Sequence, residues 1–171
     1  MGVSRVSEEK AHAITAEELR VGDRIALGAH TLVEDEVIDF ARRWDPQRFH
    51  TDPEAAGRGH HGGLFASGIH TLAVLQRLCV ESFYSRWSVI AGRGFDKVRF
   101  TAPVRPGDTL TGSVIIGDVS LDDSRGRVRL EMEMHRTDAT TVLTAELVVF
   151  VWRRGLQAAM RDDPVATPPL G

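Results

Sequence analysis

Apolar residues recur at every second position through most of the second half of the chain, and at helical spacing through much of the first. The clearest stretch is Arg127 to Arg136, where Val128, Leu130, Met132 and Met134 alternate with Arg129, Glu131, Glu133 and His135. One face of that strand is dry and the other wet. Lys97 to Val104 alternates in the same way, with Val98, Phe100 and Ala102 on one side and Pro103 marking its end or an edge bulge. Thr109 to Val119 is a further strand, and Thr140 to Arg153, with Val142, Leu143 and the run Leu147 to Trp152, suits a central one. Arg86 to Ala91 is a shorter candidate. Turn residues at Pro106-Gly107-Asp108, Asp122 to Gly126 and Thr137-Asp138-Ala139 separate the long runs, which predicts an antiparallel meander.

The first half follows a different pattern. Thr15 to Leu19 reads as a capped helical turn, Val21-Gly22-Asp23 as a turn, and Arg24 to Val33 as a strand. Glu34 to Arg43 predicts a helix, with Val37, Ile38, Phe40 and Ala41 at helical spacing, ended by Trp44-Asp45-Pro46 because a residue before proline avoids helical angles. Asp45 then opens a loop that closes at Asp52, an N-cap followed by Pro53, with a short helix through about Ala56. Gly57 and Gly59 release it. Leu64 to about Phe83 is apolar around much of its circumference, the signature of a helix wrapped by protein. A long apolar helix, one strand before it and a meander after it predict an α+β fold in which a curved sheet surrounds the helix. No internal repeat is present, and a sheet of this kind leaves edges that a dimer would cover.

With 171 residues, 42% of them hydrophobic and 26% charged, the chain has the composition of one globular domain. That domain is expected over residues 14–154, with flexible termini at 1–13 and 155–171. Lys and Arg number 21 against 24 Asp and Glu, a net charge of −3, which leaves no cationic field for nucleic acid or an anionic membrane. Cys79 is the single cysteine, so no internal disulfide or multi-thiolate metal site forms, and its apolar neighbours predict a buried thiol. The first twenty residues carry neither a secretory signal nor an anchor, and the longest stretch free of charge, Gly59 to Gln76, contains three histidines and four glycines and makes a poor membrane span. The expected location is the cytoplasm.

Asp45 and His50 lie five residues apart in a loop stiffened by Pro46. A carboxylate beside an imidazole is a workable pair for moving protons near neutral pH; the plainer account makes Asp45 a turn cap and His50 an ordinary loop residue. Ala66-Ser67-Gly68-Ile69, after the glycine-rich Gly59 to Gly63, opens the long helix. A free amide there can accept charge developing on a carbonyl oxygen, or Gly68 simply lets a strand approach. His60 and His61 are adjacent, a spacing at which side chains do not naturally converge on one ion, and no HxH, HExxH or carboxylate cluster completes a metal set. His70 reads as a hydrogen-bonded interior or interface residue, Ser67 as a packing or hydrogen-bonding residue without a nucleophile elbow, and Asp52 and Glu54 as caps. Arg93, Lys97, Arg99 and Arg105 either meet an anionic ligand tail or form a solvated strand face.

The segment Asp45-Pro-Gln-Arg-Phe-His50-Thr-Asp52-Pro-Glu-Ala-Ala56 resembles the central motif of the MaoC-like dehydratase family, the hydratase-2 type of enoyl-CoA hydratase. Ala66-Ser67-Gly68-Ile69 resembles the family's Ala-His-Gly-Met helix entry, and Val98 to Asp108 resembles its strand-turn-strand element. The resemblance implies a hotdog fold, usually in a dimer or higher homo-oligomer. It also implies (R)-specific, reversible hydration of a trans-2-enoyl thioester, carried by CoA or acyl carrier protein, with no metal or redox cofactor. Asp45 and His50 carry over as the acid/base pair: Asp45 takes a proton from water attacking C3, while His50 orients the water and helps protonate C2. The backbone N–H of Gly68 carries over as the donor to the thioester oxygen. Two positions depart from the family's pattern, Gln47-Arg48 in place of Asn-Pro and Ser67 in place of the helix-entry histidine, and Arg48 is expected to put a positive charge near the pocket mouth. The rival readings are a hotdog acyl-CoA thioesterase, a noncatalytic acyl-thioester-binding subunit and a structural dimerisation module.

Overall fold

The computed structural model describes residues 13–156, so the expectation of flexible termini falls almost entirely outside it. A helical turn at Ala16–Glu18, closed by the expected capping box between Thr15 and Glu18, leads into two short strands, β1 (Arg24–Ala26) and β2 (His30–Thr31). Helices α1 (Glu34–Trp44), α2 (Arg48–Thr51), α3 (Pro53–Gly57) and α4 (Gly68–Ser82) follow, then a turn at Tyr84–Arg86. The long strands are β3 (Val89–Phe100), β4 (Thr109–Leu121), β5 (Arg125–Arg136) and β6 (Thr141–Trp152). All pair antiparallel in the order β1-β4-β5-β6-β3, with β2 also on β4.

The alternation of β5 is realised: Val128, Leu130, Met132 and Met134 are buried. With Val114 of β4 and Leu143 of β6 they meet Val74, Leu75, Leu78 and Cys79 from α4 and its C-cap Phe83 in one core. Burial pushes the Cys79 thiol up to about 12, so it stays protonated and inert. Among the described residues no helix is long and apolar enough to cross a membrane.

Four segments differ from the sequence expectation. The strand expected over Arg24 to Val33 breaks in two, because the Gly28 amide leaves the ladder to donate to Ser82 Oγ at the end of α4. The helix expected from Leu64 starts only at Gly68: Ala66 N donates to Val104 O at 2.7 Å, which holds the preceding residues extended. Two strands expected between Arg86 and Val104 are one continuous β3, whose irregularity lies in three register shifts against β6 and a positive φ of 51° at Lys97. Finally, the loop after Asp45 contains α2, a single helical turn.

α4 is also less fully wrapped than its composition predicts. Ile69 and Val80 on its outer face are exposed, as are Phe95 and Phe100 on neighbouring β3, which forms one edge of the sheet.

Two strand glycines separate backbone freedom from space. A Cβ on Gly112 of β4 would collide with the β5 backbone at Glu133, whereas one on Gly94 of β3 would meet nothing within 4 Å. Gly112→Ala should therefore cost ~1–3 kcal/mol in urea unfolding, and Gly94→Ala should stay within about 0.5 kcal/mol of the parent. Equal effects would contradict this packing.

Candidate active site

Asp45 caps the C-terminus of α1, with its amide on Ala41 O at 2.8 Å and with non-helical angles of φ −154° and ψ 69° imposed ahead of Pro46. Gln47 N then donates to Asp45 O at 2.7 Å and His50 N to Gln47 O at 2.9 Å, a tight reversal that folds α2 back onto the end of α1. His50 Nε2 comes to 3.5 Å from Asp45 Oδ2.

His50 is only 4% exposed, and its Nδ1 lies 2.7 Å from the carbonyl oxygen of Phe65. A carbonyl only accepts, so Nδ1 carries the proton and, in the neutral ring, Nε2 carries a lone pair. Phe65 meets the imidazole edge-on at 4.6 Å and stacks on Phe49 at 5.3 Å, an aromatic wall that keeps bulk water from the ring.

The Asp45 carboxylate is also held in place. Ser67 Oγ donates to Oδ2 at 2.6 Å and Gln47 Nε2 donates to Oδ1 at 2.7 Å. The Ser67 bond is the main cause that lowers the Asp45 pKa below the usual aspartate value; partial burial opposes it, and Gln47 adds to it, as does the charge of His50 when that ring is protonated. With the ring neutral, the facing atoms at 3.5 Å, a carboxylate oxygen and an imidazole lone pair, are both acceptors. One water donating a hydrogen to each would satisfy them together.

Ser67 is fully buried and is the N-cap of α4, accepting from Ile69 N at 3.3 Å. Gly68 is the first residue of the helix, so its amide has no intrahelical acceptor. It lines a cavity of about 310 Å³ with His50, His61, Phe65, Thr71 and Phe100. The Phe100 ring lies so close that a Cβ at position 68 would sit 2.8 Å from it, so the close-approach reading of Gly68 holds alongside its place on the cavity wall. Asp45 does not line this cavity; it touches His50 and Ser67 at the edge of it.

Other candidates are placed differently. Arg48 is 77% exposed, pairs with Asp52 at 3.4 Å and does not reach the cavity wall. Asp52 caps α3 through Ala55 N, as expected. His60 and His61 lie edge to face at 5.3 Å, with His61 turned against Phe65. His70 is buried, stacked on Phe40, and its Nε2 meets Glu36 Oε1 at 3.2 Å, the same oxygen that His30 reaches at 3.0 Å. Burial lowers the His70 pKa despite Glu36, and these two imidazoles hold Glu36 below its usual value against the opposing effect of burial, so a neutral His70 donates to an anionic Glu36. Lys97 pairs with Glu146, and Arg105 binds backbone carbonyls. Sequence reasoning left Ser67 and Gln47 outside the site, although both are, with Arg48, among the positions that depart from the family's pattern. Their nearness to Asp45 was signalled only by the N-cap position of Ser67 and the i+2 spacing of Gln47.

The MaoC like domain model matches residues 9–138. The chain belongs to this MaoC-like family. A 3-hydroxyacyl-thioester dehydratase Z from Mycobacterium tuberculosis is 31% identical over 126 residues, 71% of this chain and 83% of that protein. The solved MaoC-like dehydratase from Rhodospirillum rubrum matches with a TM-score of 0.78 at 33% identity, covering 84% of this chain and 100% of that one. R-hydratase PhaJ1 from Pseudomonas aeruginosa, unliganded, matches with a TM-score of 0.69 at 21% identity over 81% and 86% of the two chains, a likeness of fold. The sheet packed on α4 is the hotdog fold.

In this MaoC-like protein Ser67→Ala removes both the bond to Asp45 and the helix cap, and should cost ~0.5–2 kcal/mol at neutral pH. Because the folded Asp45 pKa is lowered, its share of stability is present above the ordinary carboxyl range and lost as pH falls through the lowered value. The difference between Ser67→Ala and the parent should therefore shrink toward acid, and carboxyl NMR titration should show the Asp45 midpoint rising in the variant. An unmoved midpoint would contradict the assignment of Ser67.

Proposed function

We propose that this MaoC-like protein adds water reversibly to a trans-2-enoyl thioester, giving an (R)-3-hydroxyacyl thioester, with Asp45 and His50 as its catalytic pair. The observation that carries the reading is the pair of facing acceptors, Asp45 Oδ2 and His50 Nε2, 3.5 Å apart beside a cavity that also presents the first residue of α4. The family membership supports the reaction class, and the names of the dehydratase and (R)-hydratase relatives support the substrate class and hand.

In the proposed step a water held by both acceptors attacks C3. The hydrogen bonds from Ser67 and Gln47 weaken Asp45 as a base, so in this proposal His50 Nε2 takes the proton while the charged carboxylate stabilises the resulting imidazolium. The C2–C3 π pair moves toward the thioester oxygen, where the Gly68 amide accepts the charge, a contribution of ~2.7–4 kcal/mol for a donor of this kind. The proton returns from the pair to C2, so one water is consumed and the side chains are restored. No electrons are transferred in this sequence, and the proposal uses no cofactor. The substrate carrier is CoA or acyl carrier protein, and the setting is cytoplasmic, where Cys79 remains a thiol. A second copy of the chain would cover Ile69, Val80, Phe95 and Phe100 and pair the β3 edge, so we place the active form as a homodimer or higher homo-oligomer.

Asp45→Asn and His50→Gln should each fold and lose ~10²–10⁴-fold of the hydration rate, followed as the fall in absorbance of the conjugated thioester across a panel of enoyl-CoA chain lengths. Release of free thiol by the parent would instead identify a thioesterase. Saturable acyl-CoA binding without turnover would identify a noncatalytic subunit.

A further inference from the structure

The carbonyl that fixes His50 belongs to an irregular strap, residues 61–66, between α3 and α4. Gly62 and Gly63 in it take φ values of 64° and 151°, which side chains rarely adopt. The strap crosses the 103–108 turn, and Arg105 projects from that turn into it. Its Nη2 donates to His61 O at 2.5 Å and its Nη1 to Leu64 O at 3.2 Å, the residue immediately before Phe65. Space is matched to this contact, since a Cβ on Gly63 would sit 3.0 Å from Arg105 Nη1. The base of Arg105 is anchored independently of its guanidinium: its amide donates to Asp108 Oδ2 at 2.7 Å, and Arg136 Nη1 donates to Pro103 O at 3.2 Å. Beyond Phe65, Ala66 N is fixed on Val104 O.

We propose that Arg105 is a positioning residue for His50: by holding the His61 and Leu64 carbonyls it sets the Phe65 carbonyl that keeps the proton on His50 Nδ1 and the lone pair on Nε2. The role deepens the hydratase reading and rests on it for its catalytic consequence. A planar guanidinium suits the task because its fork of donors reaches two carbonyls that are not adjacent in the chain, while a lysine ammonium acts as a point donor. This use also takes Arg105 out of the group of cations available to an anionic ligand tail. When the guanidinium is removed, the Phe65–Ala66 peptide is held only from its Ala66 side, by the bond to Val104 O, and the strap before it is free to turn Phe65 O away from Nδ1. The imidazole then populates the tautomer with the proton on Nε2, which points that proton at Asp45 and removes the acceptor that the attacking water needs.

The test compares the parent with Arg105→Met and Arg105→Lys in two measurements. Long-range ¹⁵N correlation spectra, with the His50 signals assigned from His50→Gln, report the tautomer and need no substrate. The parent should show Nδ1 protonated, Arg105→Met a shift toward Nε2–H, and Arg105→Lys an intermediate position. Hydration kinetics should show kcat falling by about 10- to 100-fold in Arg105→Met with KM changed by less than about threefold. Should Arg105→Met fail to fold, the tautomer in Arg105→Lys decides. His50 ring signals that stay at parental positions in the folded variants would overturn the proposal, because a merely structural arginine would change stability and leave the tautomer alone. A parent that hydrates no enoyl-CoA would sink the hydratase reading, while the ¹⁵N spectra would still decide the positioning role.

Discussion

The hydrogen bond from His50 Nδ1 to the carbonyl of Phe65 is the constraint on which the site depends. It links a residue on a four-residue helix to a backbone oxygen fifteen positions away, and in doing so it chooses which imidazole nitrogen presents a lone pair. With the proton on Nδ1, the neutral ring and the Asp45 carboxylate face one another as two acceptors. Two acceptors at 3.5 Å gain nothing from each other directly. The arrangement becomes favourable when a shared donor lies between them, and water is the donor that the proposed hydration requires.

The fold supplies the two halves of the site from separate elements and joins them with buried polar contacts. α1 delivers Asp45 at its C-cap, α2 turns His50 back toward it, and the start of α4 contributes Ser67 to the carboxylate and Gly68 to the cavity wall. Ser67 does two jobs with one oxygen, donating to Asp45 and accepting from the Ile69 amide. It therefore couples the helix start to the ionisation of the carboxylate. The cost of burying these groups is offset because each finds a partner.

Much of this architecture was legible in the residues. The alternation in Arg127 to Arg136 places the buried side chains of β5, and the Trp44-Asp45-Pro46 break places the end of α1 to within a residue. The spacing of Asp45 and His50 identified the two side chains that meet. The remainder depended on contacts distant in sequence. Periodicity extended α4 back to Leu64 because apolar residues continue there; the Ala66 bond to Val104 overrides that local preference. The one-dimensional pattern does not show that Phe65 O faces Nδ1, that Ser67 Oγ reaches the carboxylate 22 residues before it, or that Arg105 turns inward to the strap. Each of these contacts joins a side chain to a group whose position is set by tertiary packing.

The most direct measurement of the central claim is a joint neutron and X-ray structure of the parent protein at neutral pH. The account predicts deuterium on His50 Nδ1, directed at Phe65 O, and one water within hydrogen-bonding distance of both His50 Nε2 and Asp45 Oδ2. Deuterium on Nε2 pointing straight at the carboxylate, with no water between them, would contradict it.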